Sequence, residues 1–228
     1  MDQLESGVWF VLRKFADCVV TSFLWLLCCL PIVTIGASCS ALYNNAHRVI
    51  RRDRDTAWSN FWRTFRSYFK KATKIWLVIL AGLIVTALCW QVTYVALAQG
   101  MAIGTWNPIF LIPFLYLVVL TIYVFAYICR FDTGAKASIK NAGAIAVIHL
   151  HWTILMLVLL VVAILLVILI PVTLLFVPAL LVTVYDLMLE QAFRRVMRPE
   201  DLEAEQKREE AERAEHIRER EMEQKGHF

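Results

Sequence analysis

The chain has 228 residues, of which 60% are hydrophobic and only 18% are charged. A domain folded in water rarely carries so large an apolar share, so the composition argues against a soluble globular protein and favours a bilayer as the solvent. The formal net charge of +4 is unevenly divided, because residues 199–228 contain eleven acidic and six basic side chains and therefore carry −5, which leaves +9 on the rest.

Charged side chains are absent from three long tracts, residues 18–46, 75–129 and 141–185. A helix of about 20 residues crosses the hydrocarbon core, so the tracts are expected to hold one, two and two crossings. We therefore predict an all-α, polytopic helical membrane protein with five transmembrane helices, an interfacial amphipathic helix and a charged C-terminal helix. The predicted elements of the transmembrane domain 1–198 are spans near 18–46, 75–98, 107–129, 142–169 and 172–190 and an interfacial helix at 56–74, and a charged cytoplasmic tail follows at 199–228.

Lys and Arg near the end of a span resist translocation, which orients the chain. Residues 48–74 hold nine basic side chains against two Asp, residues 130–140 hold three against one, and Arg194, Arg195 and Arg198 follow the last span. These three segments are predicted to be cytoplasmic, as is the C-terminus. The first ten residues lack the basic region of a cleavable signal, so we expect the first span to be retained. Five crossings then place the N-terminus outside, whereas a re-entrant first segment would reverse it.

Pro31 lies near the middle of the first predicted span, where it is expected to remove a backbone hydrogen bond and kink the helix. Gly36 and Ser40 follow with the small-xxx-small spacing that lets two membrane helices approach closely. The six cysteines are interpreted as packing residues, because no CxxC or Cys/His ligand spacing is present. We expect no metal and no cofactor.

The segment 56–74 is predicted to be an amphipathic helix capped by Asp55. The aromatic and basic side chains that we take as candidates for contact with lipid or a partner are Trp58, Phe61, Trp62, Arg63, Phe65, Arg66, Lys70 and Lys71. In one interpretation the helix lies in the headgroup plane, with its aromatics in the acyl boundary and its cations toward anionic lipid of the inner face. In the other it docks a cytoplasmic partner. Its tether to a membrane argues against nucleic acid as the ligand.

Prolines and glycines mark the predicted element ends. Asn107 and Pro108 are expected to form the N-cap and first turn of the third span, after a turn at Gly100 and Gly104. Pro171 is predicted to mark the turn between the fourth and fifth spans. Pro178 would then lie inside the fifth span and bend it.

Ionisable residues inside membrane spans are functional candidates by default. His149 and His151 are predicted in the fourth span, where their spacing points them to opposite sides, so they cannot share one metal. Each either hydrogen-bonds a neighbouring Thr or Tyr or serves in a proton relay or a substrate contact. Asp186 and Glu190 form an acidic i, i+4 pair that serves either in an interfacial ion pair, with Glu190 four residues before Arg194, or as a transport acid.

The tail 199–228 has oppositely charged residues at favourable i, i+4 spacing and few apolar ones. This pattern favours a solvated single helix. A partner-binding coiled coil is the alternative, although the apolar residues make no sustained heptad.

The motifs SFLWLLCCLPIVTIG and ALY at the first span, followed by FWRTFRSYFKKATKIWL, resemble the YesL family of bacterial membrane proteins, a domain family of unknown function. The resemblance covers about residues 1–198 and departs from the usual pattern at Ser22 and Ala37. It implies a multi-pass bacterial cell-membrane protein with a role in carbohydrate uptake or its control, and it supplies no catalytic residues.

No phosphate-binding glycine loop, nucleophile with a matching His and acid, or metal-ligand cluster is recognisable in the sequence, so we do not expect an enzyme. The first hypothesis is a non-enzymatic membrane protein that is accessory to, or regulates, a carbohydrate ABC transporter and contacts its permease. The alternative is a small-molecule transporter or channel acting on its own.

Overall fold

A computed structural model describes residues 2–51, 56–131 and 134–196, together with Lys207, Glu210, Ala211, Ala214 and Arg218; for 2–11, 103 and 194–196 it describes the backbone alone. Within these residues the protein is entirely helical, which confirms the predicted all-α class. The α-helices are α1 Asp2–Cys29, α2 Ile35–Asn45, α3 Ala57–Ala98, α4 Leu111–Arg130, α5 Ala135–Ile148, α6 Leu150–Leu169 and α7 Val177–Val196. Short 3-10 helices at Ile32–Thr34, Ala102–Phe110 and Pro171–Leu175 and a π-helix at Ala46–Arg51 connect them.

The predicted first span is a helical hairpin in the structure. α1 ends at Cys29, and Pro31 adopts an extended conformation before the chain turns back into α2. The amide of Asn45 lies 3.2 Å from the hydroxyl of Thr21, 24 residues earlier. A continuous helix would separate these residues by about 36 Å. Pro31 therefore ends a helix and takes part in a chain reversal, and the kinked single span that we predicted over 18–46 does not form.

The predicted interfacial helix and second span are one element, α3. Its 42 residues make it about 63 Å long, twice the thickness of a hydrocarbon core. No Gly or Pro interrupts the junction at residue 74, so nothing in the backbone stops the amphipathic part from continuing into the apolar part. The predicted cap Asp55 lies outside the described residues, and Thr56 occupies the N-cap position.

The chain between α3 and α4 turns at Gly100, whose φ of +74° favours glycine. Asn107 does not cap α4 as predicted. It lies inside a 3-10 helix, and its amide donates to the carbonyl of Trp90 at 3.1 Å and to the hydroxyl of Thr93 at 3.2 Å. Its side chain thus ties the turn to α3 rather than to the helix that follows.

The predicted fourth span, 142–169, is broken at His149, which separates α5 from α6. The Thr153 hydroxyl donates to the carbonyl of Ala146 at 2.8 Å and lies 3.2 Å from the Tyr123 hydroxyl. Carbonyls in the last turn of a helix lack helical partners, so Thr153 satisfies one that the break exposes. The sequence pattern missed this interruption because no Gly or Pro marks it.

Pro178 is the second residue of α7, where a proline is tolerated because the amide has no helical partner. Pro178 therefore lies in the first turn of this helix. The prediction that it lies inside the fifth span and bends it is wrong. Pro171 opens the 3-10 helix before α7. The chain separates into two compact units, residues 1–189 and 190–228, and the described residues of the second unit beyond α7 are helical and exposed.

Three segments of the described residues are long and apolar enough to cross a membrane: Ala57–Ala98, Gly104–Arg130 and Leu150–Leu169. Their most apolar windows are only 17%, 33% and 11% buried inside the protein. Apolar side chains left this exposed would be unfavourable in water, and lipid is the solvent that suits them. The α1–α2 hairpin and α7 fall outside this set, and α2 has only 11 residues.

Candidate functional site

A buried polar junction joins α1, α2 and α3 around Asn45, whose side chain is fully buried. Its amide donates to the Thr21 hydroxyl and, at 2.8 Å, to the carbonyl of Ala57. Its carbonyl accepts a 2.7 Å hydrogen bond from Asn60, which in turn accepts one from Arg63. Buried amides are costly unless they are paired, so this network fixes how the hairpin packs against the start of α3.

A second polar cluster forms around Asp186, a fully buried carboxylate in α7. The Nδ1 atom of His47 lies 2.9 Å from each carboxylate oxygen, and Arg51 makes an ion pair with one of them. Tyr43 also hydrogen-bonds the carboxylate, and its ring stacks on His47 with centroids 6.3 Å apart. Three partners from one segment thus surround a single buried charge.

The π-helix explains how this segment reaches Asp186. Tyr43, His47 and Arg51 are spaced four apart, and the π-helix Ala46–Arg51 carries the last two. Residues four apart lie on one face of a helix, so the three side chains face the same neighbour, and π-helical turns often occur at functional positions. The Asp186 cluster is therefore set by local backbone geometry as well as by charge.

The sequence left an interfacial ion pair and a transport acid as alternatives for Asp186 and Glu190, and it offered Arg194 as a cation near Glu190. The cation and the imidazole come instead from the chain that follows α2, 135 and 139 residues away. Glu190 begins the second compact unit, and the side chain of Arg194 lies outside the described set. The one available signal was the four-residue spacing of Tyr43, His47 and Arg51 at the edge of a charge-free tract.

The aromatic face of α3 is largely used for packing. Phe61 is fully buried with Leu24, Cys28 and Ala41, and Trp62 and Phe65 cover this cluster while remaining half-buried. Only Trp58, at 59%, and Phe69, at 36%, are substantially exposed. A helix lying on the membrane with its whole aromatic face in lipid, as one sequence interpretation requires, is incompatible with the buried position of Phe61.

The basic face of α3 points away from the protein. Its exposed cations are Arg63, Arg66, Lys70 and Lys74, and Lys71 is half-buried. The same face continues into the apolar half of the helix with Leu77, Ile84 and Leu88, which are 46%, 51% and 60% exposed. Residues three or four apart form one helical stripe, so a single exposed stripe changes from basic to apolar after Lys74.

The small residues of α2 lie against α3 and α4. A Cβ on Gly36 would meet the Trp76 Cβ at 2.7 Å and the Ala72 carbonyl at 2.8 Å. Ser40 is fully buried, and its carbonyl accepts a hydrogen bond from the Cys129 thiol at 3.3 Å. Close backbone approach is the physical role that the small-xxx-small spacing predicts.

The two histidines near the α5–α6 break differ. His149 is only 6% exposed, and its Nε2 atom has no hydrogen-bond partner among the described residues, so the predicted bond to a Thr or Tyr is not formed there. His151 is exposed, and the two rings are 6.1 Å apart at right angles. The structure thus separates a buried imidazole from a surface one.

The helices and their exposed apolar faces fit a membrane protein. Residues 18–90 match the family model described as "Protein of unknown function, DUF624". The match covers α1 from Cys18 onward, α2, the π-helix and α3 as far as Trp90. No curated protein and no solved structure gave a match. The resemblance to the YesL family remains a prediction from the sequence motifs.

Proposed function

We propose that this chain is a non-enzymatic, multi-pass protein of the bacterial cell membrane that crosses the bilayer four times instead of five. Three of the crossings, α3, α4 with the 3-10 helix before it and the α5–α6 segment, contain the segments that are long and apolar enough. The fourth, α7 with the 3-10 helix before it, is not among those segments. We include it because its charge-free residues 171–185 extend about 25 Å and basic residues at its end favour the cytoplasm. The apolar arms of the hairpin, residues 18–29 and 35–45, are about 18 and 16 Å long. A hydrocarbon core of about 30 Å is too thick for either arm to cross, so the hairpin enters and returns on one side.

This arrangement puts both termini in the cytoplasm. The Lys14 ammonium donates to the carbonyl of Val49 at 2.7 Å, so the charged part of α1 lies beside the basic segment that begins at Arg48. Basic segments stay on the cytoplasmic side. Five crossings would have placed the N-terminus outside. The α1–α2 contacts support a re-entrant hairpin instead, so we place the N-terminus inside.

Within this arrangement we assign the protein an accessory role, in which it binds another membrane protein through the cytoplasmic end of α3. Trp58, 59% exposed, is the observation that carries this proposal. It lies 19 residues before Leu77, about 28 Å along the helix and beyond the headgroup layer. Tryptophan is enriched among residues that dominate binding energy, and Trp62 supports it in an edge-on contact at 6.2 Å.

The carbohydrate context comes from the resemblance to the YesL family alone. On that basis the partner is the permease of a carbohydrate ABC transporter. Lys136 and Lys140, both exposed on α5, extend the cytoplasmic surface that the permease would contact. Asp186 is fully buried and paired with His47 and Arg51. This also favours an accessory role, because a transport acid has to exchange partners with its cargo.

Affinity capture from the native membrane after crosslinking tests this role. We expect the full chain to retain a permease subunit and Trp58→Ala to lose it. Trp106→Ala is the matched control, because Trp106 is equally exposed, at 59%, but lies beyond the other end of α3. Equal retention by the wild type and both variants, or capture of no permease by the wild type, would contradict the proposal.

Independent transport is the second candidate function, and the unpartnered Nε2 atom of His149 favours it. A buried imidazole without a partner at a helix interruption can hydrogen-bond a polar solute. Solute flux into liposomes that contain only this protein, lost in His149→Ala and retained in His151→Ala, would establish it. A lack of flux with the wild-type protein would dismiss it.

A further inference from the structure

The exposed stripe of α3 joins cations directly to apolar surface. Lys70, Lys74, Leu77, Ile84 and Leu88 follow one another at intervals that keep them on one side of the helix. Lys74 lies about 4.5 Å along the helix from Leu77, and Lys70 about 10 Å. The headgroup layer of one leaflet is roughly 5–7 Å thick, so Lys74 lies within it when Leu77 marks the edge of the hydrocarbon. Lys70 lies about 4 Å beyond the layer, a distance that its long flexible side chain can span.

We propose that this stripe is a binding site for anionic phospholipid, with Lys74 and Lys70 pairing with the phosphate and acyl chains lying along Leu77, Ile84 and Leu88. The inference rests on the proposed membrane arrangement but not on the protein partner. Arg66, Lys70 and Lys74 form no ion pair within the described part of the chain, so their charge is available to an external anion. A compact ammonium suits a headgroup phosphate as a point charge.

The same geometry separates lipid from protein as the occupant. A ligand bound to Lys74 lies next to the lipid that contacts the apolar part of the stripe. A phospholipid can contact both parts at once, the cations with its phosphate and the apolar residues with its acyl chains. Arg66 lies about 16 Å from Leu77, outside the headgroup layer. The contribution of each cation to lipid binding therefore has to decrease in the order Lys74, Lys70, Arg66. Binding of a docked protein would not depend on the three cations in this order.

Native mass spectrometry of the full chain in detergent measures this directly, with phosphatidylglycerol and phosphatidylcholine as probes. We expect the wild type to prefer phosphatidylglycerol, Lys74→Gln to weaken that binding about fivefold and Lys70→Gln with Lys74→Gln roughly 25-fold, at about 1 kcal/mol for each cation. Arg66→Gln should change it less than about twofold, because screening limits its reach. Lys74→Arg keeps the charge and should retain binding.

Lys136→Gln is the control for net charge, since this exposed cation lies on α5 and not on the stripe. An equal loss of phosphatidylglycerol in Lys136→Gln and Lys74→Gln, or no preference for it in the wild type, would overturn the inference. Unchanged lipid binding in the Lys70 and Lys74 variants, with loss of a co-purifying polypeptide, would assign the stripe to a protein and overturn it as well. Neither result affects the test with Trp58.

Discussion

Thr21 and Asn45 are 24 residues apart in the chain, yet their side chains are hydrogen-bonded at 3.2 Å. This contact closes the α1–α2 hairpin and brings Asn45 to the start of α3, where Ala57 and Asn60 complete its bonding. One buried amide therefore links both helices of the hairpin to the start of α3. The side of the membrane on which the N-terminus lies follows from it in our proposed arrangement.

Replacing Asn45 should destabilise the protein more than replacing its neighbour. Asn45→Ala leaves the buried Asn60 side-chain amide without its partner and removes the bonds to Thr21 and Ala57, and we expect a loss of about 3 kcal/mol in the free energy of unfolding. Asn44→Ala is the control, because Asn44 makes a single part-buried bond to Thr64 and should cost about 1 kcal/mol. Unfolding in mixed micelles, followed by circular dichroism, measures both. Equal losses would show that the junction does not hold the hairpin.

Asp186→Ala should cost about 3–5 kcal/mol, because it leaves His47 and Arg51 without the charge that pairs with them. Combined with Arg51→Ala, the loss should be smaller than the sum of the single losses by about 1–3 kcal/mol. Combined with Lys136→Ala, which lies on a different element, the losses should add. A double-mutant cycle on unfolding free energies makes the comparison, and additivity between Asp186 and Arg51 would argue against the observed ion pair.

Gly36→Ala should destabilise the packing of α2 on α3 by about 1–3 kcal/mol, since the new methyl group overlaps Trp76 and the Ala72 carbonyl. Gly134→Ala provides the comparison, because a Cβ there meets nothing within 4 Å and the backbone φ of −63° suits alanine. That variant should stay within about 0.5 kcal/mol of the wild type. Apparent melting temperatures in detergent would separate the two, and an unchanged melting temperature in Gly36→Ala would contradict the close approach.

Thr153→Val should cost about 1–3 kcal/mol, because it leaves the Ala146 carbonyl at the α5–α6 break without its hydroxyl partner. Thr86→Val is the control, since the Thr86 hydroxyl bonds only carbonyls of its own helix turn, those of Gly82 and Leu83. Hydrogen exchange should rise near His149 in the first variant alone. Similar exchange in both would indicate that Thr153 does not stabilise the break.

Composition and charge spacing predicted the helical class, since long tracts without charge have few other solutions. They could not reveal the hairpin, because a proline that kinks a span and one that ends a helix leave the same local pattern. The difference depends on Asn45 meeting Thr21 and Asn60, and a single sequence does not display such long-range pairing. The break at His149 is hidden for a similar reason, since Thr153 and Tyr123 compensate for it from a distance.

The site was predicted in part. The acidic character of Asp186 singled it out, but its partners Tyr43, His47 and Arg51 come from a distant segment and depend on a π-helix that no residue type specifies. The basic and aromatic faces of α3 were visible in the sequence. The sequence did not show which neighbour each face contacts. Periodicity shows that two faces exist but leaves open which of them packs on the protein.

The most direct test of the membrane arrangement is protease access to an epitope tag placed before Met1. In our account the hairpin keeps the tag on the cytoplasmic side, so protease should remove it from inverted membrane vesicles and leave it intact on whole cells. A tag inserted at Gly100, in the turn after α3, should behave in the opposite way. Removal of the N-terminal tag from intact cells would contradict the re-entrant hairpin and restore a first segment that crosses the bilayer.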